Sequence, residues 1–241
     1  MHIARSVLDA NLNCWSTKVE YMSSTIHCIG DSHSSFFCGQ DRIVGRMEDN
    51  SSCLHGFQVY YIGPVLAYNL CEENSSTKGR EIIFHILKTK IPMGSRLLLC
   101  FGEIDCRYHI LKQADCQNIR YCLVVDECVA RYVRFIKEIK SNAYDVYIWN
   151  ATPTAPDSST TNSAYPRYGT EPQRNGVTAY FNNRLQSALQ EIEVPFVSIF
   201  DQLIDSRSYT RREYLMDGIH LSQKAMPLAK NAIKLVVPTK N

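Results

Sequence analysis

The sequence predicts an α/β fold, a three-layer α/β/α sandwich around a central five-stranded parallel sheet. Three observations carry this expectation. Five short apolar runs are spread along the chain, each ending near Gly, Pro, Asn or Asp, and segments of helical period lie between them. Continuous apolar runs of that length suit strands buried on both faces of a parallel sheet, and their alternation with helices implies right-handed crossovers. Finally, 241 residues with 45% hydrophobic content are enough to remove roughly 70% of the unfolded chain's surface from water without a metal or disulfide staple. No internal repeat or linker divides the chain. One domain over residues 1–241 is expected, with residues 1–24 as an N-terminal extension.

The first predicted strand is Ile26-His27-Cys28-Ile29, followed at once by Gly30-Asp31-Ser32. The second covers 57–62 and ends at Gly63-Pro64. The third, 97–101, is the most apolar and ends at Gly102. The fourth, 146–149, runs into Asn150, and the fifth, 196–200, ends at Asp201. Helical period places Ile82, Ile83, Ile86 and Leu87 on one stripe of 81–91. It places Ile119, Leu123, Val129, Val133 and Ile136 on one stripe of 119–139. A third helix over 174–192 carries Val177, Phe181, Leu185, Ala188, Leu189 and Ile192. The last begins near Ser222, a suitable N-cap, and carries Ala225, Leu228, Ala229, Ala232, Ile233 and Val236. Residues 155–173 form a long polar loop, which predicts a lid or rim.

Charge and cysteines bound the function. Twenty-six Lys and Arg against 24 Asp and Glu give a net charge of +2, which argues against broad binding to nucleic acid or an anionic membrane. No apolar run approaches the roughly 20 residues of a membrane helix, and the first residues lack the apolar core of a secretory signal. The ten cysteines lie between Cys14 and Cys128 with no CxxC pair and no zinc-finger spacing. They read as reduced, mostly structural thiols of a cytoplasmic protein, with Cys28 and Cys100 inside strands. In that setting the N-x-[ST] triplets at Asn50, Asn74 and Asn150 are chance matches. No cofactor and no metal is expected.

Ligands of open parallel sheets bind at the carboxyl ends of the strands. The chemically unusual residues collect there: Asp31-Ser32-His33, Gly63, Glu103-Ile104-Asp105 with Arg107, and Asn150. Asp217-Gly218-Ile219-His220 precedes the last helix. A serine directly after a buried strand can present its hydroxyl at the sheet edge. An Asp three residues before a His can orient that imidazole and leave its other nitrogen as a general base. Either fragment alone also reads as an ordinary turn or helix cap, and His27 and His55 read as structural or surface histidines.

Together the fragments resemble the SGNH (GDSL-like) hydrolase superfamily. Ile29-Gly30-Asp31-Ser32-His33 resembles its first block, Tyr61-Ile62-Gly63-Pro64 its second, and Phe101-Gly102-Glu103-Ile104-Asp105 stands where the third has G-x-N-D. Asp217-Gly218-Ile219-His220-Leu221-Ser222 matches the D-x-x-H of the fifth. The resemblance implies a flavodoxin-like sheet, a Ser32–His220–Asp217 triad, and an oxyanion hole from the N–H groups of Ser32 and Gly63. The chain departs from the family at Ile104, where an Asn amide should donate to the oxyanion. Losing one such donor costs about 10²–10³ in rate, and Arg107 or His33 is the expected replacement. His33, Glu103, Asp105, Arg107 and Asn150 are candidate substrate-binding residues; Glu103, Asp105 and Arg107 read equally as a structural ion-pair cluster.

The implied activity is hydrolysis of a carboxylic ester through an acyl-enzyme on Ser32. The polar, Tyr-rich stretch Ala164-Tyr165-Pro166-Arg167-Tyr168 suits an O-acetylated carbohydrate, although a solvated surface has the same composition. The expected partner is therefore a small-molecule or carbohydrate ester, with no nucleic acid and no membrane. Two other functions fit: acyl transfer on the same triad, and a non-catalytic binding or scaffold domain that kept the fold.

Overall fold

The computed structural model describes residues 25–47, 54–158 and 166–238. Within them five strands form one all-parallel sheet: β1 (Ile26–Gly30), β2 (Phe57–Tyr61), β3 (Arg96–Cys100), β4 (Asp145–Trp149) and β5 (Phe196–Val197). Their order across the sheet is β2-β1-β3-β4-β5. The helices are α1 (Gly79–Thr89), α2 (Ile110–Gln117), α3 (Tyr121–Ser141), α4 (Glu171–Gln190) and α5 (Met226–Val236).

Side chains alternate across the strands and so build two apolar layers. Ile29, Leu97, Leu99 and Ile148 face one layer, closed by Ile83 and Ile86 of α1, Val125, Tyr132 and Ile136 of α3, and Phe181 and Leu185 of α4. Cys28, Leu98, Cys100 and Trp149 face the other, closed by Phe36 and Phe37 and by Ala229 and Ile233 of α5. Each fully buried aliphatic side chain contributes about 1.5–3 kcal/mol by leaving water. Cys28 and Cys100 serve here as small apolar residues, and no disulfide joins any two of the described cysteines. No helix of the described residues is long and apolar enough to cross a membrane.

Several elements differ from the sequence reading, each for a local reason. The fifth strand stops at Val197 because Asn150 Oδ1 takes the N–H of Ile199 (2.9 Å), and the chain turns into a 3₁₀ turn at Phe200–Gln202. The predicted helix over 119–139 begins instead at Tyr121, and Ile119 and Leu123 are exposed. Asn118 in a left-handed conformation breaks it from α2, which the sequence reading left out. The α4 helix begins at Glu171, where Thr170 and Gln173 form a reciprocal capping box and Pro172 occupies the first turn. It therefore takes the end of the predicted 155–173 loop. Ser222 does act as a cap, but for the 3₁₀ turn Gln223–Ala225 that leads into α5. The predicted extension over 1–24, together with Cys14, Asn50, Cys53, Ala164 and Tyr165, lies outside the described residues.

One buried histidine gives the fold an acid limit. His27 in β1 stacks on Tyr60 and is 8% exposed, and burial lowers its pKa from 6.5 to about 4. Neutral His27 contributes stability that is complete above pH 6.5 and is lost as pH falls toward 4. The difference is worth about 3 kcal/mol. The melting temperature of the wild type relative to His27→Phe should therefore fall as pH drops across that window. A difference between the two that stays constant from pH 6.5 to 4.5 would contradict the assignment.

Candidate active site

The chemistry-bearing residues gather at the carboxyl edge of the sheet. Ser32 opens the 3₁₀ helix Ser32–Cys38 immediately after β1, and Asp31 caps it by accepting the His33 N–H at Oδ1 (2.9 Å). The chain passes so close to β3 here that a side chain on Gly30 could not fit. A Cβ at that position would overlap the Cys100 carbonyl oxygen and lie 2.8 Å from Cys100 Cβ. Asp31 is completely buried with no partner for Oδ2 among the described residues, and burial raises its pKa to about 8.

The sequence Asp217-Gly218-Ile219-His220 folds into one compact unit. Asp217 Oδ1 accepts the N–H groups of Ile219 (3.0 Å) and His220 (2.8 Å), an Asx turn completed by Gly218 at φ +86°. Its Oδ2 lies 2.7 Å from His220 Nδ1. Since a carboxylate can only accept, Nδ1 carries the hydrogen and Nε2 is left as an acceptor. That acceptor lies 2.8 Å from Ser32 Oγ. Burial would raise the Asp217 pKa, but its hydrogen bonds to His220 outweigh it and hold the carboxyl well below its ordinary range. The three side chains named from the sequence are thus brought together, in an arrangement able to take the serine's proton as the hydroxyl attacks.

Gly63 enters the site from β2. Ile62 N–H donates to the Gly30 carbonyl (3.0 Å), so the ladder continues one residue past the strand and brings Gly63 level with Ser32. Its φ of +106° is a left-handed conformation that favours glycine. The Gly63 N–H makes no hydrogen bond to another described residue. Asp105 braces the following segment, its two oxygens accepting the N–H groups of Ala67 (2.8 Å) and Tyr68 (3.1 Å). Burial raises the Asp105 pKa to about 6 despite those bonds.

The remaining candidates separate into two groups. Glu103 and Arg107 do form a buried ion pair, at 2.8 and 3.1 Å from Arg107 Nε, and His33 Nε2 joins it 3.1 Å from Glu103 Oε2. Burial alone would raise Glu103, yet Arg107 and His33 beside it bring its pKa down to about 2. Asp105 is not part of that cluster, because its oxygens face the 67–68 backbone. Asn150 is a strand-end clamp rather than a ligand-facing amide: Oδ1 holds Ile199 N–H and Nδ2 donates to the Ala151 carbonyl (2.8 Å). The expected replacements for the missing amide at Ile104 are committed elsewhere. Arg107 Nε is engaged by Glu103 and its Nη1 by the Pro166 carbonyl. The two ring nitrogens of His33 face Glu103 and Thr152 Oγ1 (3.1 Å).

Sequence reasoning also missed two groups. Arg46 donates from Nε to the Ile62 carbonyl (3.1 Å), and its guanidinium occupies the space a Gly63 Cβ would need, 2.8 Å from Nε. No motif marks it, since the contact arises only when the 42–47 segment returns over β2. The other is Arg174, which holds the rim. Completely buried, it donates to Thr154 Oγ1 (3.0 Å), the Ala155 carbonyl (2.7 Å), Asp157 Oδ1 (2.9 Å) and the Gly169 carbonyl. Among the described residues no three His, Cys, Asp or Glu side chains converge so as to hold a metal ion.

No protein-family model matches the chain, and no curated protein matches it. Solved structures do. The chain is similar to a GDSL-like lipase from Bacteroides thetaiotaomicron, with 13% identity, a TM-score of 0.54, and coverage of 88% of this chain and 87% of that one. It is also similar to a variant of an acetyl-xylooligosaccharide esterase from Geobacillus, with 14% identity, a TM-score of 0.51, and coverage of 90% and 95%. At these identities the likeness is one of fold, and the fold is the one the sequence blocks imply.

Proposed function

We propose that the protein is a serine esterase that cleaves a carboxylic ester, with an O-acetyl group on a carbohydrate as the substrate class. The observation that carries this reading is the hydrogen-bonded line from Asp217 through His220 to Ser32 at the carboxyl edge of the sheet. Ser32 attacks the ester carbonyl while His220 Nε2 accepts its proton. The N–H groups of Ser32 and Gly63 receive the developing oxyanion. His220 then returns the proton to the leaving alcohol and activates the water that frees the acid from the acyl-enzyme.

The acetyl-xylooligosaccharide esterase of the same fold acts on an acetylated carbohydrate, which supports the same class here. Labelling with a fluorophosphonate tests the reading directly. Native protein should be modified once, at Ser32, and Ser32→Ala should not react. Labelling that persists in Ser32→Ala would overturn it.

The departure at Ile104 gives a separate test. Ile104 is half-buried where the third block enters the site. Ile104→Asn puts an amide donor where the family has one and removes part of an apolar contact. Turnover of a small acetyl ester per folded molecule should be equal or modestly higher, with stability lower by about 1–2 kcal/mol. A large loss of rate in folded protein would show that Ile104 shapes the substrate pocket instead.

A further inference from the structure

A second hydrogen-bonded line lies directly behind the first, and the reaction as written does not use it. His33 follows Ser32 in the chain and is 6% exposed. Its Nδ1 lies 3.1 Å from Thr152 Oγ1 and its Nε2 3.1 Å from Glu103 Oε2. Glu103 is gripped in turn by Arg107, which also donates to the Pro166 carbonyl on the rim. Thr152, His33 and Glu103 thus repeat the order hydroxyl, imidazole, carboxylate of Ser32, His220 and Asp217. Thr152 is only 2% exposed, so no substrate carbonyl can reach its hydroxyl, and the second line is not a second reaction centre.

Its geometry points to another role. The His33 ring lies 4.7 Å from the His220 ring, centroid to centroid, and is tilted by 39°. The hydrogen bonds to Asp217 and Ser32 hold the two nitrogens of His220, but the Ser32 bond is given up as the hydroxyl attacks and then no longer sets the tilt of the ring. Asp217 itself sits on a loop with its side chain 41% exposed. A neighbouring ring fixed at both of its own nitrogens removes that freedom, which is how a supporting shell holds a catalytic group within a fraction of an ångström. We infer that His33 is a positioning residue for His220: held by Thr152 and Glu103, it is the wall that keeps the imidazole pointed at Ser32, and Arg107 ties that wall to the rim. The inference rests on the esterase reading.

The charged groups facing this pair of rings are Asp217 from the loop before α5, Asp31 from the start of the 3₁₀ helix, and Glu103 and Arg107 from the turn after β3. Burial raises the Asp31 pKa and so works against a negative charge there. Glu103→Gln removes one anion and leaves the Arg107 cation uncompensated. Both changes disfavour positive charge on His220.

The test uses 4-nitrophenyl acetate with Ser32→Ala, His33→Ala, Thr152→Val and Glu103→Gln. His33→Ala should lower kcat about 10- to 100-fold with KM nearly unchanged, because the base is misplaced and not the binding surface. Glu103→Gln should move the acid limb of kcat/KM to lower pH by roughly half a unit or more. If His33→Ala does not fold, Thr152→Val, which exchanges a hydroxyl for a methyl of similar size, should still lower kcat at constant KM. The inference is overturned if the folded variants keep wild-type kcat and an unmoved acid limb while Ser32→Ala is inactive. If Ser32→Ala itself retains turnover, the esterase reading falls first.

Discussion

Replacing Ser32 by alanine should lower turnover of a small acetyl ester by roughly four to six orders of magnitude, and His220→Ala should do the same. On the proposed reading, the 2.8 Å contact between Ser32 Oγ and His220 Nε2 joins nucleophile and base into one device. Losing either part removes the whole of its contribution, so the double variant should be little worse than either single one. Losses that add on a logarithmic scale would show that the two groups act separately. Asp217 stays ionised far into acid because its hydrogen bonds to His220 outweigh burial. The acid limb of the rate profile is therefore set by protonation of the imidazole and not of its partner, and activity falls as pH drops. A rate independent of pH on the acid side, with acyl transfer still limiting, would exclude His220 as the base.

The largest expected loss of stability comes from Arg174→Met. The guanidinium is completely buried, so its removal strands the carbonyls of Ala155 and Gly169 and the hydroxyl of Thr154 without a donor. It also leaves Asp157 without its cation. The buried acceptors at Ala155 and Thr154 each cost about 1–3 kcal/mol when left unsatisfied, and for a chain of this size each kcal/mol lowers the melting temperature by about 2–4 °C. Ser32 and His220 do not touch these atoms, so residual folded protein should still be labelled at Ser32. A change of only one or two degrees would mean that water replaces the guanidinium at the rim.

The sheet was legible because burial on both faces leaves an uninterrupted apolar run. Leu97 to Phe101 is such a run, visible without any partner in view, and Ile26 to Ile29 is one broken only by His27. The meeting of Ser32, His220 and Asp217 was legible because Asp217 and His220 interact locally through an Asx turn, and Ser32 directly follows a strand. The π-helical turn Asp105–His109 and α2 after it were not legible. Their charged residues follow no single period, and Arg107 and Asp105 point to different partners that only the fold supplies. The α4 helix shows the same limit. Its apolar stripe was readable, but Glu171, Arg174, Asn175 and Asn182 are buried too. They read as surface residues until the rim segment that they bond, around Ala151, Thr154 and Thr210, is packed against them.

Ser32 and His220 stand 188 positions apart in the chain, and every strand but β1 forms between them. Closing a contact of that range comes after the loop entropy of the intervening crossovers has been overcome, which makes parallel sheets slow to assemble. Ser32 is thus placed in the first crossover and meets His220 only when the last one docks. On the proposed reading, a partly assembled chain holds the serine without its proton acceptor and is chemically silent. During refolding, esterase activity should return with the slowest phase that recovers native packing, after the bulk of the helical signal, so that catalysis itself becomes a clock for completion of the fold.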